Sequence, residues 1–176
     1  GYEFNEFYDI NILGSLSFKG TTLNERFGNE TPRVAETVSG MLNCVGLQNP
    51  GAENVLKKEI PKLKECFNKP IMANISGFSP EEYASACEIL DSEDQIGWFE
   101  INISCPNVKG GGLAFGTNSE NAVSVVNAVK KVTKKPVIVK LSPNVTDITE
   151  IAKAVEFAGA DGVSLINTLL GMKIDL

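Results

Sequence analysis

"PVIVKLSPNVTDITEIAKAVEFAGADGVSLIN", residues 136–167, changes its period twice within about thirty residues. It opens on a Val- and Ile-rich run at 137–142. Apolar residues three and four apart follow over 145–159, and a second apolar run occupies 162–167. Short β-branched runs read as buried strands, and the three-four spacing reads as an amphipathic helix. Gly159 stands where a helix C-cap glycine belongs. Strand, helix and strand in this order make a βα unit and call for a parallel sheet.

The same alternation extends towards the N-terminus. "NILGSLSF" (11–18), "IMANIS" (71–76) and "WFEINIS" (98–104) are further strand candidates, with helical spacing over 52–67, 80–91 and 118–133. Ser79 before Pro80, and Asn118, are readable helix starts. Residues 19–51 lack a clean period and are dense in Gly, Asn, Thr and Pro, so they read as a long loop that is either functional or disordered.

The 176 residues have a net charge of -6, which gives no basic footprint for nucleic acid. No apolar run approaches the roughly 20 residues that span a bilayer, and no signal peptide opens the chain. The four cysteines, at 44, 66, 87 and 105, form no CxxC pair for zinc, a cluster or a redox motif. Dispersed thiols of this kind fit a cytoplasmic protein. Histidine is absent, which excludes a Ser-His-Asp or Cys-His mechanism within the chain and the commonest metal ligand. No metal site is expected.

The polar residues share an address. Lys19, Asn74, Ser104, Cys105, Asn107, Lys140, Asn167 and Thr168 all fall at or just past the C-terminal end of an expected strand. Active sites of (β/α)₈ barrels lie at that end, whereas open doubly wound sheets bind ligand at a switch point. Five contributing strands favour the barrel. A complete barrel needs eight βα units and about 250 residues, so five units make a partial one, a single domain over 1–176.

Cys105 has two readings. A cysteine is often a small buried hydrophobe, but this one ends a strand, precedes Pro106 and borders "KGGGLAFG" (109–116). That placement favours a reactive thiol beneath a hinge or lid. The glycines fit neither GxGxxG nor a Walker GK[ST] pattern. Cys66 and Cys87 fall on helix faces and read as structural, while Cys44 stays open. An unperturbed thiol is only a few per cent thiolate at neutral pH, and an ammonium from Lys19 or Lys140 would raise that fraction. Lys140 is flanked by apolar strand residues and requires an anionic partner. Lys19 reads equally as a strand-end side chain reaching solvent. Asn43, Asn74, Asn102, Asn107 and Asn167 offer planar donor–acceptor groups suited to a flat heterocycle.

"FKGTTLNERFGNETPRVAET", "GMLNCVGLQNPG", "ANISG", "EINISCPNVKGGGLAFGT" and the stretch from Pro136 to Leu176 together resemble the catalytic subunits of the dihydroorotate dehydrogenase B family. The resemblance covers nearly all of the chain. It implies a (β/α)₈ TIM barrel with FMN at the strand C-termini, oxidising dihydroorotate to orotate in pyrimidine biosynthesis. Cys105 resembles the family's base for the C5 proton. Lys19 matches a catalytic position that touches both FMN and substrate, and Gly20 a flavin contact. Asn74, Lys140 and Ile166 match flavin positions, and Asn102 matches one shared by flavin and substrate. Asn43, Cys44, Val45, Gly46 and Leu47 match a substrate loop, joined by Asn107, Asn167 and Thr168.

The resemblance further implies a homodimer completed by a partner subunit with FAD and a [2Fe-2S] cluster, a heterotetramer that delivers electrons to NAD. It marks the chain as an internal segment, with the family's first strand and its C-terminal phosphate-binding units lying outside it. Two other readings stand beside this one: a non-catalytic half-barrel that self-associates through its open edges, and a related enzyme that uses fumarate.

Overall fold

The computed structural model describes residues 1–105 and 113–174. Its main sheet has five strands, β1 (Leu16–Ser17), β4 (Ile71–Ile75), β5 (Ile96–Asn102), β6 (Val137–Lys140) and β7 (Gly162–Ser164). They lie side by side in chain order, and each neighbouring pair is parallel. Among the described residues the order never reverses, so there is no switch point of the doubly wound kind. This is the progression of a (β/α)₈ barrel, five strands of its eight.

Each strand presents alternate residues to two different layers. Ala73 and Ile75 of β4, Phe99 and Ile101 of β5, and Val137 and Val139 of β6 are buried in one core. The helices contribute Tyr83, Ala86 and Leu90 from α3 (Pro80–Asp91), Val125, Val126 and Val129 from α5 (Ser119–Lys130), and Ile151 and Val155 from α6 (Ile148–Phe157). Each Val, Leu, Ile or Phe among them is worth roughly 1.5–3 kcal/mol when fully buried. Cys87 belongs to this core, where burial pushes its thiol well above the ordinary range. The opposite parity, Asn74, Glu100, Asn102, Lys140 and Ser164, carries the polar groups.

The helix starts are chemically explicit. Ser79 Oγ accepts from Glu82 N at 3.3 Å, Asn118 Oδ1 from Asn121 N at 2.9 Å, and Asp147 Oδ1 from Thr149 N at 2.8 Å. Gly159, at φ +95, closes α6 as expected.

Three expectations need revision. The first strand is short: Asp9 accepts from Asn11 N and caps a 3₁₀ turn at Ile10–Ile12, leaving only Leu16 and Ser17 to pair with β4. The helix at 52–67 is composite, with α1 (Ala52–Asn54) and α2 (Ile60–Lys64) joined by a π-helical turn at Val55–Glu59. Pro61 follows that turn, and proline has no N–H to bond the carbonyl four residues earlier. The stretch from 19 to 51 is ordered and contains an antiparallel hairpin, β2 (Val34–Thr37) with β3 (Gly40–Asn43). Asn49 ties its base together. It accepts from Thr22 N and Gly51 N, and donates to Leu47 O at 2.7 Å. A short helix, α4 (Leu113–Gly116), precedes α5.

Candidate active site

Thr21 continues the line of β1 through a bridge to Ile75. Thr21 N donates to Asn74 O at 2.9 Å, and Ser76 N donates to Thr21 O at 2.8 Å. That stitch sets Lys19 and Gly20 beside the end of β4. The registers Asn74↔Glu100, Asn102↔Lys140 and Lys140↔Ser164 then align the polar side chains of four strands on one face.

A cavity of about 330 Å³ lies at this end of the sheet, within the range of small-molecule sites. Lys19, Gly20, Asn74, Asn102, Cys105 and Lys140 line it. Asn167 and Thr168 close one side, and Asn43, Val45, Gly46 and Leu47 reach it from the loop after β3. Cys44 and Ile166 do not line it. Cys44 is exposed, its backbone tied to Arg33 O and to the Asn29 side chain, and Ile166 is exposed beyond β7. Asn107 lies outside the described residues, as does 109–112 of the expected hinge; its remainder, 113–116, is α4.

Cys105 is buried and stands at the cavity wall. It is 7% exposed and packs with Leu47 and Phe78, yet its residue lines the cavity. The Arg26 guanidinium lies 4.7 Å from the centre of the Phe78 ring, backing this apolar wall with a cation–π contact. All four cysteines are thiols rather than disulfides.

The asparagines form a connected chain. Asn74 Nδ2 donates to Glu100 Oε2, Asn102 Nδ2 donates to Asn74 Oδ1 at 3.3 Å, and Asn167 Nδ2 donates to Asn102 Oδ1 at 2.9 Å. Backbone donors fix the far members: Ser104 N reaches Asn102 Oδ1, and Thr168 N reaches Asn167 Oδ1 at 2.8 Å. Tyr83 OH bonds Asn102 O at 2.9 Å from the helix layer, where burial drives the phenol far above its ordinary range.

Lys140 has the anionic partner its position requires. Glu100, only 3% exposed, places Oε1 3.7 Å from Lys140 Nζ and also accepts from Ser164 Oγ at 2.7 Å. Neither Glu100 nor Ser164 stands out in the sequence as a site residue. The available signal was parity: Glu100 lies two residues before Asn102 and so faces the same side of β5.

Gly20 is where a side chain would close the cavity. A Cβ there would lie 2.8 Å from Asn74 Oδ1 and 3.1 Å from Leu47 Cδ2. Nearby, Ser76 Oγ is fully buried and has no hydrogen-bond partner among the described residues. Gly46, at φ +79, and Leu47, at φ 57, carry the loop through left-handed backbone that glycine accepts and leucine rarely does. Two cationic residues, three linked carboxamides, a thiol and one open glycine position fit a flat, carbonyl-rich ring. Among the described residues there is no group of acidic, Cys or His side chains that could hold a metal, and no helix long and apolar enough to cross a membrane.

Fold and cavity together define a barrel-type α/β protein with a cavity at the carboxyl ends of consecutive parallel strands, the end at which such folds carry their sites. The chain belongs to the dihydroorotate dehydrogenase family, whose model matches residues 1–176. It is 55% identical, over all 176 residues, to proteins of Bacillus cytotoxicus and Enterococcus faecalis, and 54% identical to one of Bacillus mycoides. Each of these is named dihydroorotate dehydrogenase B (NAD(+)), catalytic subunit. The chain spans 57%, 56% and 57% of their respective lengths.

Proposed function

We propose that the protein containing these residues oxidises dihydroorotate to orotate, the ring losing a proton from C5 and a hydride from C6 as the C5=C6 double bond forms. FMN, when bound, supplies the acceptor for that hydride. The observation that carries this reading is the convergence of Cys105, Lys19, Lys140, Asn102 and Asn167 on one cavity.

Cys105 Sγ, as thiolate, takes the C5 proton. Leu47 and Phe78 pack beside it and give the residue an apolar backing. Lys19 holds the substrate at the cavity edge. Asn43, Asn102, Asn167 and Thr168 hold the ring's carbonyl and N–H groups in plane, so that the proton lies within reach of sulfur. Asn107 is assigned to the same set, and Val45 to Leu47 close over the ring from the hairpin side. Lys140, with Asn74 and Gly20, would hold the flavin ring of FMN, and the Lys140 ammonium would supply positive charge beside it. The fit rests on the buried Ser76 hydroxyl, which has no hydrogen-bond partner among the described residues, and the side-chain-free space at Gly20.

The relatives' shared name, an NAD(+)-type catalytic subunit, supports a partner subunit and NAD as final acceptor; the resemblance adds FAD and a [2Fe-2S] cluster on that partner and a heterotetrameric assembly. The name also favours this reading over a fumarate-using one. The four thiols support a cytoplasmic location.

The test is Cys105→Ala in the whole protein with its partner. Loss of the base lowers turnover by about 10²–10⁴-fold, while orotate still perturbs the flavin absorbance. Turnover within threefold of the parent removes the thiol from the reaction.

A further inference from the structure

We propose that Glu100 is a positioning residue of this site: one buried carboxylate that aligns the Lys140 ammonium and the Asn74 amide from below and offsets the charge of Lys140. A glutamate that is 3% exposed in the middle of a sheet needs a reason, because an unpaired buried carboxylate is strongly disfavoured. Its neighbours supply one. Oε2 accepts from Asn74 Nδ2, and Oε1 accepts from Ser164 Oγ at 2.7 Å.

Each carboxylate oxygen is thus engaged by a neutral donor. Lys140 Nζ is held at 3.7 Å, close enough for Coulomb attraction and too far for a hydrogen bond. The ammonium is therefore steered by Glu100 while its N–H groups remain available to a ligand. Ser164 is the spacer that keeps the two apart. Asn74 is fixed by the same carboxylate. A carboxylate only accepts, so the amide must turn its nitrogen to Glu100 and its oxygen to Asn102. Asn102 and Asn167 have backbone donors to orient them, and Asn74 depends on Glu100.

The inference rests on the reading of this cavity as a flavin site, and its test separates the two. In the whole flavin-loaded protein, Glu100→Gln keeps the side chain's shape and an acceptor for Asn74 but leaves the Lys140 charge unopposed. The equilibrium for two-electron reduction of the flavin shifts towards the reduced form by tenfold or more, about 30 mV upwards in potential. Ser164→Ala lets the ammonium close on the carboxylate and shifts the potential downwards. An unchanged potential in either folded variant overturns the proposal. A crystal structure of the whole unmutated protein gives a second arm that needs no variant and no flavin. Lys140 Nζ is expected beyond hydrogen-bond reach of Glu100, with Ser164 Oγ on Oε1; a direct Lys140–Glu100 hydrogen bond, or the Asn74 oxygen turned to Glu100, overturns it. Absence of flavin from the unmutated protein contradicts the function proposed above and leaves this second arm standing.

Discussion

Lys140 lies between Val139 and Leu141, both fully buried, a sequence setting that asks for an anionic partner although its own side chain faces the cavity and stays partly exposed. The demand was legible in "VIVKLS"; the identity of the anion was not. Glu100 alternates with Phe99 and Ile101 in the manner of any solvent-facing strand residue, and only the register of β5 against β4 and β6 shows that its face looks onto other polar side chains. Cys105 was readable because Pro106 and the following glycines mark a strand end. Cys44 and Ile166, carried by resemblance alone, are placed away from the cavity wall. Gly20 gives a prediction at this scale. Its backbone has no left-handed φ, so Gly20→Ala acts through the new methyl group on Asn74 and Leu47. Overpacking of this kind lowers stability by about 1–3 kcal/mol. Orotate affinity, measured by titration calorimetry on the whole protein, falls at least about tenfold; unchanged affinity would show that position 20 has room to spare.

The elements divide by the strength of their local signals. Helices α3, α5 and α6 were legible because side-chain caps and apolar spacing agree, and α3 begins at the Pro80 that Ser79 announces. The hairpin at 34–43 was not legible. Both of its strands are largely exposed, so their apolar residues follow no burial period. The join between β6 and β7 rests on Asp161, whose carboxylate accepts from Lys130 Nζ at 2.9 Å and from Val137 N at 2.8 Å. The Lys130 bond, then the Val137 bond, hold this carboxyl below its ordinary value of 3.8. A depressed folded value adds stability that is fully present above the ordinary value and is lost as pH falls through the depressed one. Asp161→Asn therefore lowers unfolding free energy at pH 7 by about 1 kcal/mol, the pair being partly exposed to solvent. The gap between denaturant melts of parent and variant starts to shrink near the ordinary value of 3.8 and closes as pH falls through the depressed one. A gap that stays constant with pH would assign the effect to shape rather than charge.

At the scale of the molecule, strand count and order were the readable features, because every βα unit repeats the same switch of period. Which residues meet at the sheet's end was readable only as an address, the C-terminal ends of strands, with distances and partners supplied by the fold. The face away from the cavity also carries a message. Phe157 is 94% exposed and Val163 of β7 is 44% exposed, apolar positions that a further packed layer would cover. Side chains from separate βα units are proposed to converge and hold one planar ring. The most direct test is a crystal structure of the whole protein with orotate. Orotate is expected in plane with Asn102 and Asn167, with Lys19 at its edge and Cys105 Sγ facing the ring carbon at C5. Orotate bound elsewhere, or a Cys105 sulfur turned into the Phe78 wall, would contradict that convergence.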